Sequence, residues 1–355
     1  MTERNSRLTA AALQGFGTAL LLAAGARQTD ADSVAAHLVG ANLAGHDGAG
    51  IGLLPSYLDQ LRAGLVDAAS TDSVLADTAV LLRVDANGGW GAPACERLID
   101  RAGAKALEHG LAAATLANAH DLGRIGAYGE RAAQAGLAAI IFVNVTDQTP
   151  LVAPFHGSDA RFGTNPVCIA FPATSHRAPF LLDMATSRIS LGKVQQAAAR
   201  GQTVPAGSLL NANGMPTSDP TGMVGPDFKG SIRPAGQHKG YGLAFACELL
   251  AGVLSGGGTI QPEHPRRGGI RNGLFAILIN PASFGDPGWM EHEIEAMAGY
   301  ALASPPIDWD SPVLYPGDPE RALRGKRERD GIPLDAATVK TLNAAAMKLR
   351  LKDRL

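Results

Sequence analysis

The residues best equipped for chemistry sit in two glycine-dense stretches. Gly45-His-Asp-Gly-Ala-Gly-Ile-Gly52 carries His46, and Asn118-Ala-His-Asp-Leu-Gly-Arg-Ile-Gly126 carries His120 and Asp121 side by side. An imidazole or a carboxylate can move a proton near neutral pH when its surroundings tune it. His46 and His120 read equally well as core histidines with their hydrogen bonds satisfied. Asp121 can bind an amine or cation, or act as a base with a raised pKa. The first stretch does not follow a strand, and its spacing is not G-x-G-x-x-G, so by itself it is a turn between helices. The chain has no P-loop and no G-x-S-x-G elbow. His292-Glu293 lacks the second histidine of a zinc helix, and no metal site is expected.

These turns need elements to hold them. Residues 7–45 read as two helices, Thr9 to Ala26 and then Ala31 to Leu43 behind a Thr29-Asp30 cap. Arg4 and Arg7 ahead of the apolar run Leu8 to Ala26 faintly resemble a signal peptide. Gln14, Gly15 and Gly17 interrupt the run, and a core helix is favoured. Pro55 to Gly64 is a third helix, framed by Pro at its start and Gly at its end. Strands are expected near 77–88, at Leu111–Asn118, Leu137–Val145, Val167–Phe171, Phe180–Met184 and Asn272–Ile279. Helices are expected at Pro93–His109, Tyr128–Gly136, Ser187–Arg200, Lys239–Leu254, Glu291–Ala303 and Asp335–Leu351. The order does not alternate regularly, which argues against a TIM barrel or a doubly wound sheet.

With 355 residues, 46% hydrophobic and 18% charged, the chain reads as a globular protein of about two domains. A net charge of -2 and 5% aromatic residues leave no footprint for nucleic acid or an anionic membrane. No run is long enough to span a bilayer. Cys95, Cys168 and Cys247 have no metal or redox spacing and read as buried thiols in a reducing cytoplasm.

Several segments together resemble the malate/L-lactate/sulfolactate dehydrogenase family, a non-Rossmann group of NAD(P)-dependent oxidoreductases. Gly45–Tyr57 is similar to its G-H-D-S-H-G-x-x-[RM]-x-P-x-Y motif, and Asn118–Tyr128 to N-x-x-H-x-G-x-x-G-x-Y. Gly163-Thr-Asn-Pro166, Asp183-Met-Ala-Thr-Ser187, Gly192-Lys-Val194, Asn213–Pro220, His238-Lys-Gly-Tyr-Gly-Leu243 and Tyr315-Pro-Gly-Asp318 match in order. Ile51-Gly52 ahead of Pro55 and Tyr57, together with Leu122-Gly-Arg-Ile-Gly126, leans toward the 2-hydroxycarboxylate dehydrogenase branch.

The resemblance implies an α/β fold with a mainly antiparallel central sheet. It implies a helical domain built from both termini (1–75 and 305–355) beside a cofactor domain (76–304) with a smaller subdomain. It implies a homodimer, NAD or NADP, and a small-molecule substrate: a 2-hydroxy or 2-oxo acid, or a related imino acid. Asp183 then lies against the cofactor, or alternatively caps a helix starting near Ser187. Thr186 and Ser187 offer hydroxyls and helix-terminal N–H groups to phosphate. Lys239, beside His238, meets phosphate or ribose. Gly123, Arg124, Asn165, Asn272, Pro316, Gly317 and Asp318 are further cofactor-pocket candidates, with Arg124–Glu130 as an alternative surface ion pair and turn chemistry as the alternative for Asn165, Asn272 and Gly317.

Three departures stand out. Gly48 and Ala49 occupy the Ser-His positions, Leu53 occupies the Arg/Met position, and Asp121 replaces the usual acid/base histidine. Asp121, His120, Asp183 and His46 are therefore the catalytic candidates, with Asp121 or His120 as the replacement acid/base. The alternative is a diverged scaffold that binds cofactor for a non-redox reaction, or only binds.

Overall fold

The computed structural model describes residues 6–225, 228–352 and 354–355. Its helices are α1 (Ala10–Ala23), α2 (Gln28–Leu43), α3 (Leu54–Arg62), α4 (Gly91–His109), α5 (Gly126–Gln134), α6 (Leu191–Ala199), α7 (His238–Cys247), α8 (Pro287–Leu302), α9 (Asp318–Asp330) and α10 (Ala336–Lys348). Its strands are β1 (Ser6–Leu8), β2 (Ser73–Asp77), β3 (Leu81–Asp85), β4 (Leu111–Ala119), β5 (Ala138–Thr146), β6 (Val167–Phe171), β7 (Phe180–Met184), β8 (Leu209–Leu210), β9 (Pro216–Thr217), β10 (Ser231–Ile232), β11 (Arg271–Ile279) and β12 (Ile332–Leu334).

The central sheet has seven strands in the order β2-β3-β4-β11-β5-β6-β7. Only the β3–β4 pair is parallel; the rest are antiparallel. Long alanine-rich strands such as Leu111–Ala119 let α4 and α5 sit close on one face. Leu98, Ile99 and Ala102 of α4 share a core with Leu82, Leu116 and Leu274 of the sheet. The π-helical turn Glu248–Val253 and α7 pack on the other side, so the middle strands are buried on both faces.

A second core joins the two ends of the chain. Leu13, Leu20 and Leu21 of α1 and Leu38 of α2 cluster with Ile332, Leu334, Leu342 and Ala346. β1 pairs with β12 in antiparallel register, Ser6 opposite Leu334. A third, smaller core holds Val152, Phe162, Val194, Leu209 and Ile232 around the three-stranded sheet β10-β8-β9. No helix among the described residues is long and apolar enough to cross a membrane.

Three expectations from the sequence need correction. α2 begins at Gln28, not after Thr29-Asp30; Asp30 sits in its first turn, where its carboxylate receives Arg27 Nε at 2.8 Å. No helix begins at Ser187. Ser187 bridges to Pro234 instead, and α6 starts at Leu191, where the Ser190 hydroxyl accepts the Lys193 N–H. The long helix at 239–254 changes to π geometry at Glu248.

Candidate functional site

The matching motifs lie far apart in sequence, yet the fold gathers several of them around one turn. β7 delivers Asp183, and the chain then runs through Met184–Ser187. The Thr164 carbonyl accepts both the Thr186 N–H and the Thr186 hydroxyl at 3.0 Å. Ala235 N–H donates to Thr186 O at 2.8 Å, which places the start of α7, with His238 and Lys239, beside the same turn. Leu181 N–H donates to Pro316 O at 3.2 Å, docking the Tyr315–Asp318 turn on β7. Gly126 N–H donates to Asp183 Oδ2 at 2.8 Å, bringing in the Asp121 loop. A Cβ at Gly126 would lie 2.5 Å from that carboxylate oxygen, so only glycine permits this approach.

Asp121 sits on the loop between β4 and α5, half-buried. Its Oδ2 accepts the Tyr57 hydroxyl and its Oδ1 accepts the Gly123 N–H, each at 2.9 Å. Each carboxylate oxygen keeps lone-pair capacity for a further donor. Burial pushes the Tyr57 phenol well above its ordinary range, with the neighbouring Asp121 adding to it. Tyr57 therefore holds Asp121 as a neutral donor.

His120 is not placed to move a proton. It is fully buried, lies edge-on to Tyr57 and Trp90, and neither ring nitrogen finds a hydrogen bond. Burial lowers its pKa to about 4 against the pull of Asp121, so it is neutral. His46 is half-exposed, with Nε2 3.5 Å from Glu320 Oε1 on α9. Burial raises the pKa of the nearby Asp183 carboxyl, and His46 lies close enough to oppose that rise in a small part.

Arg124 is not a surface residue. Its guanidinium is buried, with Nη2 2.8 Å from Glu130 Oε1 and Nε 3.5 Å from Asp183 Oδ2. Its backbone N–H donates to His37 Nε2 at 3.0 Å, and burial holds His37 neutral with a pKa lowered to about 4. Burial pushes the Asp183 carboxyl above the usual carboxylate range, opposed by Arg124 and the Gly126 N–H.

Other expected contacts are committed internally. The Thr186 hydroxyl goes to Thr164 O and the Ser187 hydroxyl to Ile189 O at 2.9 Å, so neither opens a helix N-terminus to phosphate. Asn165 and Asn272 are buried, and their side chains bond protein groups: Asn165 reaches Ala244 O and Glu248, and Asn272 joins Leu122 N to Asn144 O. Gly317 has φ +97° as the N-cap of α9, and Asp318 pairs with Arg321 at 2.7 Å. Lys239 is exposed at the start of α7, and Lys193 is exposed at the start of α6. The three thiols are buried and unpaired; burial lifts Cys247 to about 12 and raises the other two, so none is a ready nucleophile. No group of three or more His, Cys, Asp or Glu among the described residues is placed to hold a metal.

The sequence reading did not assign roles to Tyr57, His37 or Glu248. Glu248 had a signal: a lone carboxylate in the apolar run Leu243–Leu254. A broad groove of about 560 Å³ opens elsewhere, between Phe162, Phe245, Leu249 and Ile260, with Glu248 on its wall.

The family model for malate/L-lactate dehydrogenase matches residues 8–343. The chain belongs to that family. It is 39% identical to hydroxycarboxylate dehydrogenase B of Escherichia coli K12 over 353 residues, covering 99% of this chain and 96% of the relative. It is 40% identical to an L-lactate dehydrogenase of Cupriavidus necator over 321 residues, covering 90% and 91%. A solved E. coli structure assigned to the malate/lactate dehydrogenases superposes with a TM-score of 0.93 at 39% identity, covering 98% of this chain and 96% of that one. These matches agree with the expected α/β fold and its mostly antiparallel sheet.

Proposed function

We propose that this chain is an NAD(P)-dependent oxidoreductase moving hydride at C2 of a 2-hydroxy or 2-oxo acid, or the corresponding imino acid, with Asp121 facing the reacting heteroatom. The observation that carries this is the Asp121 carboxylate, half-exposed and fixed at both oxygens by Tyr57 and Gly123 N–H. It lies on the loop whose Arg124 and Gly126 grip Asp183.

The surroundings of Asp183 fit a dinucleotide. Lys193 and Lys239 are exposed at the starts of two helices that border the turn and can meet the charge of the dinucleotide's phosphates. Asp183, Lys239 and the Pro316-Gly317-Asp318 turn would hold the cofactor, with Arg124 and Glu130 holding Asp183. When bound, the nicotinamide supplies the hydride acceptor or donor. In the oxidation direction Asp121 takes the hydroxyl proton as C2 gives up its hydride. In the reduction direction the same carboxyl returns that proton to the oxygen or nitrogen on C2 as the hydride arrives. Gly48, Ala49 and Leu53 offer no cation or imidazole to a substrate carboxylate, so the substrate differs from that of members with the usual residues. The relatives are dehydrogenases, and nothing in the site favours a non-redox reaction.

A second copy of the chain is the proposed partner. The segment from α8 onward exposes Trp289, Met297, Tyr300 and Trp309, large apolar side chains that a second copy would cover. Buried, unpaired thiols fit a reducing cytoplasm.

The deciding experiment titrates purified protein with NADH and NADPH by fluorescence. It then screens 2-hydroxy, 2-oxo and cyclic 2-imino acids for turnover, with light scattering for the dimer. Binding of one cofactor is expected, with weak turnover of malate and lactate. Binding of neither cofactor overturns the reading.

A further inference from the structure

Glu248 is 5% exposed and opens the π-helical turn Glu248–Val253. Its Oε1 accepts Asn165 Nδ2 at 2.8 Å, and its Oε2 accepts Asn144 Nδ2 and Ile260 N–H, both at 3.0 Å. Burial pushes this carboxyl above its usual range, and those three donors pull it back down.

Two hydrogen-bonded chains leave Glu248. Along the first, Asn144 O accepts Asn272 Nδ2 and Asn272 Oδ1 accepts Leu122 N–H, each at 2.9 Å. Leu122 directly follows Asp121. Along the second, Asn165, held at φ +34°, directly follows Thr164, whose carbonyl anchors Thr186 in the Asp183–Ser187 turn. The backbone around the hub is tight. A Cβ at Gly273 would lie 2.4 Å from Ala251 O, and one at Gly252 would lie 2.6 Å from Gly258 O. For stability alone, an apolar side chain serves a buried position as well as a carboxylate does. An apolar side chain cannot accept from two separate loops and fix one against the other. Local π geometry is itself frequent at functional sites.

We propose that Glu248 is a positioning residue that sets the Asp121 loop against the Asp183–Ser187 turn, holding the proton-handling group in register with the cofactor element. This rests on the oxidoreductase reading above.

The test uses full-length Glu248→Gln, Asn272→Ala and Asn165→Ala. Each is measured for NADH and NADPH affinity by fluorescence, for turnover with a panel of 2-oxo acids and cyclic 2-imino acids, and for melting by circular dichroism. Glu248→Gln places an amide N–H₂ among three donors. It should lower kcat about tenfold and weaken cofactor binding about fivefold while remaining folded. Asn272→Ala should lower kcat and shift its pH profile with cofactor affinity unchanged. Asn165→Ala should weaken cofactor binding with kcat at saturating cofactor nearly kept. A folded Glu248→Gln with both constants unchanged overturns the proposal. So does a set in which both constants fall together in step with the melting temperature. If the wild-type protein binds neither cofactor, the oxidoreductase reading is what fails. Hydrogen exchange at the Leu122 and Thr186 amides then tests the hub directly: faster exchange at both in Glu248→Gln supports it, and unchanged exchange overturns it.

Discussion

The Tyr57 hydroxyl donates to Asp121 Oδ2 at 2.9 Å, joining α3 of the terminal core to the loop after β4 of the central sheet. Tyr57 is almost fully buried and its ring leans edge-on to His120, so the phenol has one place to point. Tyr57→Phe keeps the packing and removes only that donor. Asp121 is half-exposed, and water recovers part of the lost bond, so about 1 kcal/mol of stability should go. Turnover should suffer more, by about tenfold in kcat/KM, because Asp121 loses a fixed orientation. Urea denaturation and steady-state kinetics on the same samples separate the two effects. A stable variant with wild-type kcat/KM would remove Tyr57 from the account.

The departures at 48, 49 and 121 can be reversed. Gly48 does not use positive φ, and a Cβ there would lie 3.5 Å from Gly192 Cα, an ordinary contact. Ala49 is half-exposed. The triple change Gly48→Ser, Ala49→His, Asp121→His should raise kcat/KM for malate or lactate oxidation about a hundredfold over the parent, the scale of a placed acid/base group. Asp121→His alone should give less, since the Ser-His pair is still missing. A triple variant that binds cofactor but gains nothing would show that these positions do not set the reaction.

Local periodicity made the sheet legible. Val167–Phe171 and Phe180–Met184 stand as read, because short apolar segments bounded by polar turns have little choice of end. α9 was invisible for the opposite reason. Asp318–Asp330 carries charges of both signs and no buried residue, so there was no apolar stripe to read. Distant contacts hold it instead: Arg327 clasps Asp47 at 2.6 and 2.9 Å, and Leu323 lies over Gly45. The site divides the same way. Asp121 and Asp183 stood out by motif, but Tyr57 lies 64 positions from Asp121, and no spacing rule reaches that far. Thr186-Ser187 looked like a helix start because small hydroxyl residues favour caps. The fold gives that role to Ser190 and uses Thr186 and Ser187 to bind the turn to its neighbours.

Gly123 tests how tightly the Asp121 loop is drawn. It has φ +62°, and a Cβ there would sit 2.5 Å from His37 Nε2. Gly123→Ala therefore meets both backbone strain and a ring that cannot easily retreat, since His37 is stacked on Tyr128 at 5.3 Å. The loss should be about 2 kcal/mol or more. Adding His37→Ala removes the clash but not the strain, so in the double variant Gly123→Ala should cost about 1 kcal/mol. Equal costs in both backgrounds, measured by urea denaturation, would mean that the imidazole does not confine the loop.

His37 and His120 make the fold sensitive to acid. Each has its pKa lowered from 6.5 to about 4, first by burial. Asp121 opposes the shift at both rings, with Arg124 and Glu130 also facing His37 and Arg271 facing His120. A depressed folded-state pKa means that the unfolded chain binds protons first as pH falls. The stabilising contribution is thus full above about pH 6.5 and is lost on the way down to about pH 4. Between about pH 6.5 and pH 5 each ring should account for about 2 kcal/mol of lost stability. His120→Phe keeps an aromatic ring against Tyr57 and Trp90 and removes two buried nitrogens that have no partner. It should be at least as stable as the parent near pH 7 and lose about 2 kcal/mol less on acidification to about pH 5. If the variant and parent lose stability equally over that interval, His120 is not held neutral by the fold.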